Sequence, residues 1–198
     1  MAGKQAKRLT IGLTGIFGSG KSSVAKILKS FGASVIDCDQ LVREGYLPGA
    51  GLQPKILKLF GRERLDRNQI AKIVFQNKEK RKKLEAIIHP FVFKRVHEEL
   101  SKARGKITVI EMPLLFETGF NRNVDCVAVV AAKKEAIEKR LAKKGFTKRG
   151  VQLRWRAQWS LARKKRGADF VIENSGSVLN LKKQVKKLWR ELNFKLAS

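Results

Sequence analysis

A chain of 198 residues with 43% apolar content holds one domain with a real core, with room for an inserted subdomain. No stretch reaches the apolar length needed to span a bilayer, which excludes a membrane-spanning role. The 44 Lys and Arg against 17 Asp and Glu leave a net charge of +27, a field that attracts nucleic acid or highly phosphorylated small substrates. The cations are spread over residues 78–83, 133–149, 163–166 and 182–187, so they form a general field rather than one docking stripe. A plainly solvated basic surface is an equally good reading of them. Cys38 and Cys126 give neither a disulfide framework nor metal-ligand spacing, and the expected setting is reduced and cytoplasmic.

The basic start, Met1 to Arg8, runs into an apolar patch in the manner of an export signal. Thr10, Gly12, Thr14 and Gly15 interrupt that patch, and the export reading is rejected. Leu9-Thr10-Ile11-Gly12-Leu13 reads instead as a buried strand. It leads into Gly15-Ile16-Phe17-Gly18-Ser19-Gly20-Lys21-Ser22, which fits the phosphate-binding loop G-x-x-x-x-G-K-[ST]. Glycines let the backbone curl so that successive N–H groups point at phosphate oxygens. Lys21 is spaced to reach the β and γ phosphates, and the Ser22 hydroxyl to ligate Mg²⁺. Val24, Ile27, Leu28 and Phe31 then recur at helical spacing, and Gly32 stands at the helix stop.

Residues 34–37 read as a second strand whose end carries two acidic residues, Asp37 and Asp39. Ligands of open parallel sheets sit beyond the carboxyl ends of the strands, so either carboxylate is a candidate for a reacting hydroxyl or the metal's water shell. The competing reading has Asp39 capping the helix that begins at Gln40. Residues 40–104 carry helical patterns only, with a turn at residues 47–51 and a bend expected at His89-Pro90. Such an insertion between strands two and three is a natural substrate cover.

Strand three is expected at residues 106–110, with Glu111 at its carboxyl end, where phosphate-loop enzymes place a carboxylate that helps hold Mg²⁺. Residues 126–131 form a continuous apolar run, typical of a central parallel strand. A helix over residues 135–144 follows, and then the most basic segment, residues 144–167. Trp155 and Trp159 lie four apart there, able to stack nucleic-acid bases or to pack a lid over a triphosphate. Strand five is expected at residues 169–172, and a last helix packs through Leu181, Val185, Leu188, Trp189 and Leu192. The order of elements predicts a single α/β domain with a five-stranded parallel sheet and a phosphate loop after its first strand.

Several pieces together resemble the dephospho-CoA kinase family. They are the loop with its strand, Val35-Ile36-Asp37-Cys38-Asp39, Leu65-Asp66-Arg67, and the stretch from Leu84 to His89-Pro90. Pro113-Leu114-Leu115-Phe116-Glu117, Arg140-Leu141, Arg154 with Gln158, and the stretch from Ala168 to Asn174-Ser175-Gly176 complete the set. They keep the family's order and cover nearly the whole chain. The resemblance implies Mg²⁺-dependent transfer of the ATP γ-phosphoryl group to the ribose 3′-hydroxyl of dephospho-CoA. It implies a nucleotide core at about 7–39, 105–143 and 168–198, a helical dephospho-CoA-binding insertion at about 40–104, and a basic lid at about 144–167.

By the same resemblance, Asp39 is the catalytic aspartate, with Lys21 and Arg140 neutralising charge on the transferring group. Gly15, Gly18, Ser19, Gly20, Lys21, Ser22, Ser23, Asn174 and Gly176 bind ATP. Asp39, His89, Leu115 and Glu117 bind the acceptor. The chain departs from the family's habits at Ile16, often Gly; at Ser23, usually Thr; at Lys144, usually Arg; and in its basicity. The rivals are a shikimate-type kinase, which is expected to carry a Gly-Gly motif that this chain lacks, and a basic nucleic-acid-binding protein with a regulatory phosphate loop. As a kinase, the chain is expected to bind nucleic acid only non-specifically, through its basic surface.

Overall fold

The computed structural model describes residues 8–64 and 66–197; the rest of the basic start, Leu65 and Ser198 lie outside the described residues. The chain divides into two compact units, residues 1–36 with 103–198, and residues 37–102.

The first unit is built on a parallel sheet of strands β1 (Leu9–Thr14), β2 (Ser34–Asp37), β3 (Ile107–Glu111), β4 (Cys126–Ala131) and β5 (Phe170–Glu173), in the order β2-β3-β1-β4-β5. Strand β1 is central, pairing Leu13 with Glu111 of β3 and with Ala128 of β4. Alternation along β1 sends Leu9, Ile11 and Leu13 to one face. There they meet α1 (Lys21–Ser30) through Val24, Ala25 and Leu28, and α9 (Val178–Ala197) through Leu181, Val185, Leu188 and Leu192. On the other face, Gly12 leaves room for Leu115; a β-carbon there would stand 2.6 Å from its Cδ2. Strand β4 is wholly buried, as its unbroken apolar run predicts. Two carboxylates fasten the strand starts: Asp125 accepts from the Thr10 amide at 2.6 Å, and Asp169 from the Val127 amide at 2.7 Å.

Between β3 and the last strand lie a short 3₁₀ turn (Phe120–Asn123) and three helices: α6 (Lys134–Ala142), α7 (Lys148–Arg156) and α8 (Leu161–Arg166). Thr147 and Ser160 cap α7 and α8 with their side chains.

The second unit is helical: α2 (Cys38–Gly45), α3 (Gln53–Phe60), α4 (Arg67–Gln76) and α5 (Lys78–Lys102). Its core gathers Leu52, Ile56, Ile70 and Leu84, flanked by Ile87, Ile88 and Phe91. Helix α5 continues on both sides of Pro90. Ala86 and Pro90 are both exposed, where water can replace the hydrogen bond that proline cannot donate.

Candidate active site

The phosphate loop joins β1 to α1, and its glycines are required by geometry. Gly15, Gly18 and Gly20 have φ of 150°, 81° and 98°, which side-chain-bearing residues rarely adopt. Close neighbours forbid a side chain as well. A β-carbon on Gly18 would stand 2.6 Å from Ile137 and 2.7 Å from Leu141, and one on Gly20 would collide with Asn174.

The loop's carbonyls are turned into protein partners. Lys21 Nζ donates to Gly15 O at 3.3 Å and to Ile16 O at 3.5 Å. Trp155 Nε1 donates to Phe17 O at 3.0 Å, and Asn174 Nδ2 to Ser19 O at 2.8 Å. A carbonyl oxygen facing a phosphate would repel it, so this arrangement favours an anion in the loop. The Ser19 hydroxyl is buried and has no hydrogen-bond partner among the described residues.

Ser22 Oγ donates to Glu111 Oε1 at 2.7 Å, and Glu111 is buried at the end of β3. A hydroxyl and a carboxylate side by side are hard oxygen donors suited to Mg²⁺, which binds through one or two such groups plus substrate phosphates. Among the described residues no cluster of three or more His, Cys, Asp or Glu forms a dedicated metal cage.

Arg140 donates from its guanidinium to the Asn174 carbonyl at 2.6 Å. It therefore sits against the loop after β5. Gly176 is exposed nearby in sequence, Ser23 is exposed on α1, and Lys144 is exposed just beyond α6.

Asp39 is exposed in the first turn of α2, two residues beyond β2. It does not cap that helix. Asp37 does, accepting from the Gln40 amide at 3.0 Å and pairing with Arg43 at 3.4 Å. Helix α2 starts at Cys38, so the N-cap falls on Asp37, two residues earlier than expected. His89 is half-buried on α5, its ring stacked on Phe93 at 6.2 Å. Burial pushes its pKa down, partly offset by Glu85.

Two acceptor-side expectations need correction. Leu115 is fully buried over Gly12, so its side chain lines no ligand surface. Glu117 is committed to protein partners: its carboxylate accepts from the Trp159 amide at 2.7 Å and lies 2.9 Å from Lys164 Nζ. Lys164 is fully buried and also donates to Pro113 O at 2.8 Å. In sequence Lys164 belongs to a basic run, and nothing local distinguishes it from Arg163, Lys165 and Arg166. Burial pushes its pKa down, while Glu117 opposes the shift.

The tryptophans are engaged too. Trp159 stacks on Phe116 at 5.8 Å and carries the Arg163 guanidinium 3.4 Å from its ring centroid. A platform already occupied in this way is a poor stacking surface for nucleic-acid bases. Trp155 and Trp159, with Ile16, Ala132 and Leu161, line a cavity of about 350 Å³ beside the loop.

A parallel sheet with a glycine-rich loop after its central strand, a buried lysine in that loop and a Ser–carboxylate pair defines the class: a phosphate-loop kinase. The comparisons narrow this. The dephospho-CoA kinase (CoaE) family matches residues 9–180. The dephospho-CoA kinase of Aquifex aeolicus is 38% identical over 190 residues, covering 92% of this chain and 96% of that one. The crystal structure of TT1252 from Thermus thermophilus is 36% identical with a TM-score of 0.83, covering 94% of this chain and 98% of that one. A shikimate kinase from Bacteroides thetaiotaomicron shares the fold alone, at 14% identity and a TM-score of 0.52 over 93% of this chain and 98% of that one. This chain belongs to the dephospho-CoA kinase family, whose ATP-dependent reaction is the final step of coenzyme A biosynthesis.

Proposed function

We propose that this chain transfers the γ-phosphoryl group of ATP to the 3′-hydroxyl of dephospho-CoA, with its residues in the following roles. The observation that carries the reading is the loop itself. Its carbonyls are tied back by Lys21, Trp155 and Asn174, which favours an anion at its amides. Lys21 neutralises charge on the transferring group. Ser22 and Glu111 would hold Mg²⁺, which supplies charge neutralisation at the β and γ phosphates when bound. Arg140, from α6, and Asn174, from the loop after β5, face the nucleotide. Asp39 orients the acceptor hydroxyl and takes its proton. Because the transition state of phosphoryl transfer is loose, this positioning matters more than the basicity of Asp39. His89 serves the acceptor from its half-buried place on α5.

In the same reading, residues 40–104 form the acceptor-binding insertion and residues 144–167 the lid. Both cysteines are buried and neither is in a disulfide, in keeping with a cytoplasmic enzyme. Any binding of nucleic acid would be non-specific, through the basic surface, and would weaken steeply with salt. The deciding experiment is a coupled ADP-release assay with dephospho-CoA, adenosine and shikimate as acceptors. Turnover with dephospho-CoA alone is expected; turnover with shikimate, or with none of the three, overturns the reading.

A further inference from the structure

Phe17, the third residue of the phosphate loop, is gripped at both of its backbone groups. Its N–H donates to Gln158 Oε1 at 3.0 Å, and its carbonyl accepts from Trp155 Nε1 at 3.0 Å. Its ring meets Phe146 edge-on at 5.3 Å and the Arg154 guanidinium at 5.1 Å. A trans peptide is planar, with its C=O and N–H pointing in opposite directions. The Ile16–Phe17 peptide is therefore held from both ends: Gln158 takes its N–H, and Lys21 Nζ reaches its carbonyl at 3.5 Å. A bond at the N–H polarises the peptide and strengthens the carbonyl as a partner for the lysine.

The grip has a fixed base. Trp159, next to Gln158, donates its amide to Glu117, which pairs with buried Lys164. Lys164 donates to Pro113 O, and Thr14 Oγ1 donates to the same carbonyl at 3.1 Å. Thr14 directly precedes Gly15. The chain of contacts thus leaves the loop at Phe17 and returns to Thr14, the residue just before it. Ile16 lies inside this circuit, packed with Ala132, Ile137, Leu141 and Val151.

We infer that Gln158 is a positioning residue for phosphoryl transfer: through the Ile16–Phe17 peptide it sets the place of Lys21, with Trp155 as its partner on the next peptide. The inference rests on the kinase reading above and deepens it. Gln158→Met keeps the length of the side chain and removes the acceptor oxygen. Trp155→Phe keeps an aromatic ring and removes the donor. For each variant, kcat, KM for dephospho-CoA, ATP affinity without acceptor, and thermal midpoint are measured.

The expected result is a fall in kcat of about 10- to 100-fold for Gln158→Met and about tenfold for Trp155→Phe, with ATP affinity weakened and KM for dephospho-CoA within about threefold. The folded fraction should stay at the parent level. Values of kcat within about threefold of the parent in both variants overturn the inference, as does a loss of activity that only tracks a loss of folded protein. If Gln158→Met does not fold, Trp155→Phe decides alone. A parent that binds ATP but does not phosphorylate dephospho-CoA overturns the function reading instead. ATP affinity unchanged in both variants would then overturn the positioning role on its own.

Discussion

The Ser22 hydroxyl donates to the Glu111 carboxylate across 2.7 Å, tying the first turn of α1 to the last residue of β3. Neither residue could be placed against the other by sequence separation. The parallel pairing of β1 with β3, with Leu13 opposite Glu111, brings them together. Glu111→Gln keeps the shape and removes the charge. The Mg²⁺ concentration for half-maximal activity is expected to rise about 10- to 100-fold, read by titrating Mg²⁺ at fixed ATP. An unchanged Mg²⁺ requirement would remove Glu111 from the metal site.

Asp39 lies exposed on α2, while its neighbour Asp37 does the capping. Asp39→Asn should therefore leave the helix intact. Turnover with dephospho-CoA is expected to fall by at least about 10²-fold, with ATP affinity unchanged. Asp37→Asn, which keeps a capping oxygen, serves as the comparison and should retain most activity. Equal losses in the two variants would argue against a special role for Asp39.

Buried Lys164, on α8, forms an ion pair with half-buried Glu117. Removing one partner strands the other charge. Lys164→Met is expected to cost about 3–5 kcal/mol in urea unfolding, and the double variant with Glu117→Leu to recover much of that loss. Additive losses in the double-mutant cycle would mean that the pair is not coupled.

Burial lowers the pKa of His89 below its ordinary value of 6.5. Below that ordinary value the unfolded chain binds the proton more readily than the folded one. Stability contributed by neutral His89 is thus fully present above 6.5 and lost as pH falls towards the lowered folded value. The thermal midpoint is expected to drop on acidification from about pH 7 to about pH 5, and His89→Gln to flatten that slope. Parallel slopes for the two proteins would assign the acid sensitivity to other groups.

Much of this protein was determined by its sequence alone. The glycine spacing from Gly15 to Ser22 dictates an anion-binding loop, because only glycines tolerate the positive φ and close approaches found there. The apolar run of β4 and the helical stripe of α9 read directly as buried strand and packed helix. Those signals are local, carried by residues a few positions apart. Tertiary structure decided the rest. It drew Arg140 to Asn174, buried Leu115 over Gly12, and turned Glu117 towards Lys164, 47 residues away. It also gave Ile16, an unexpected residue in such a loop, a seat among Ile137, Leu141 and Val151. Each of these depends on which strands lie side by side, and a single buried lysine among exposed ones leaves no periodic trace in the chain.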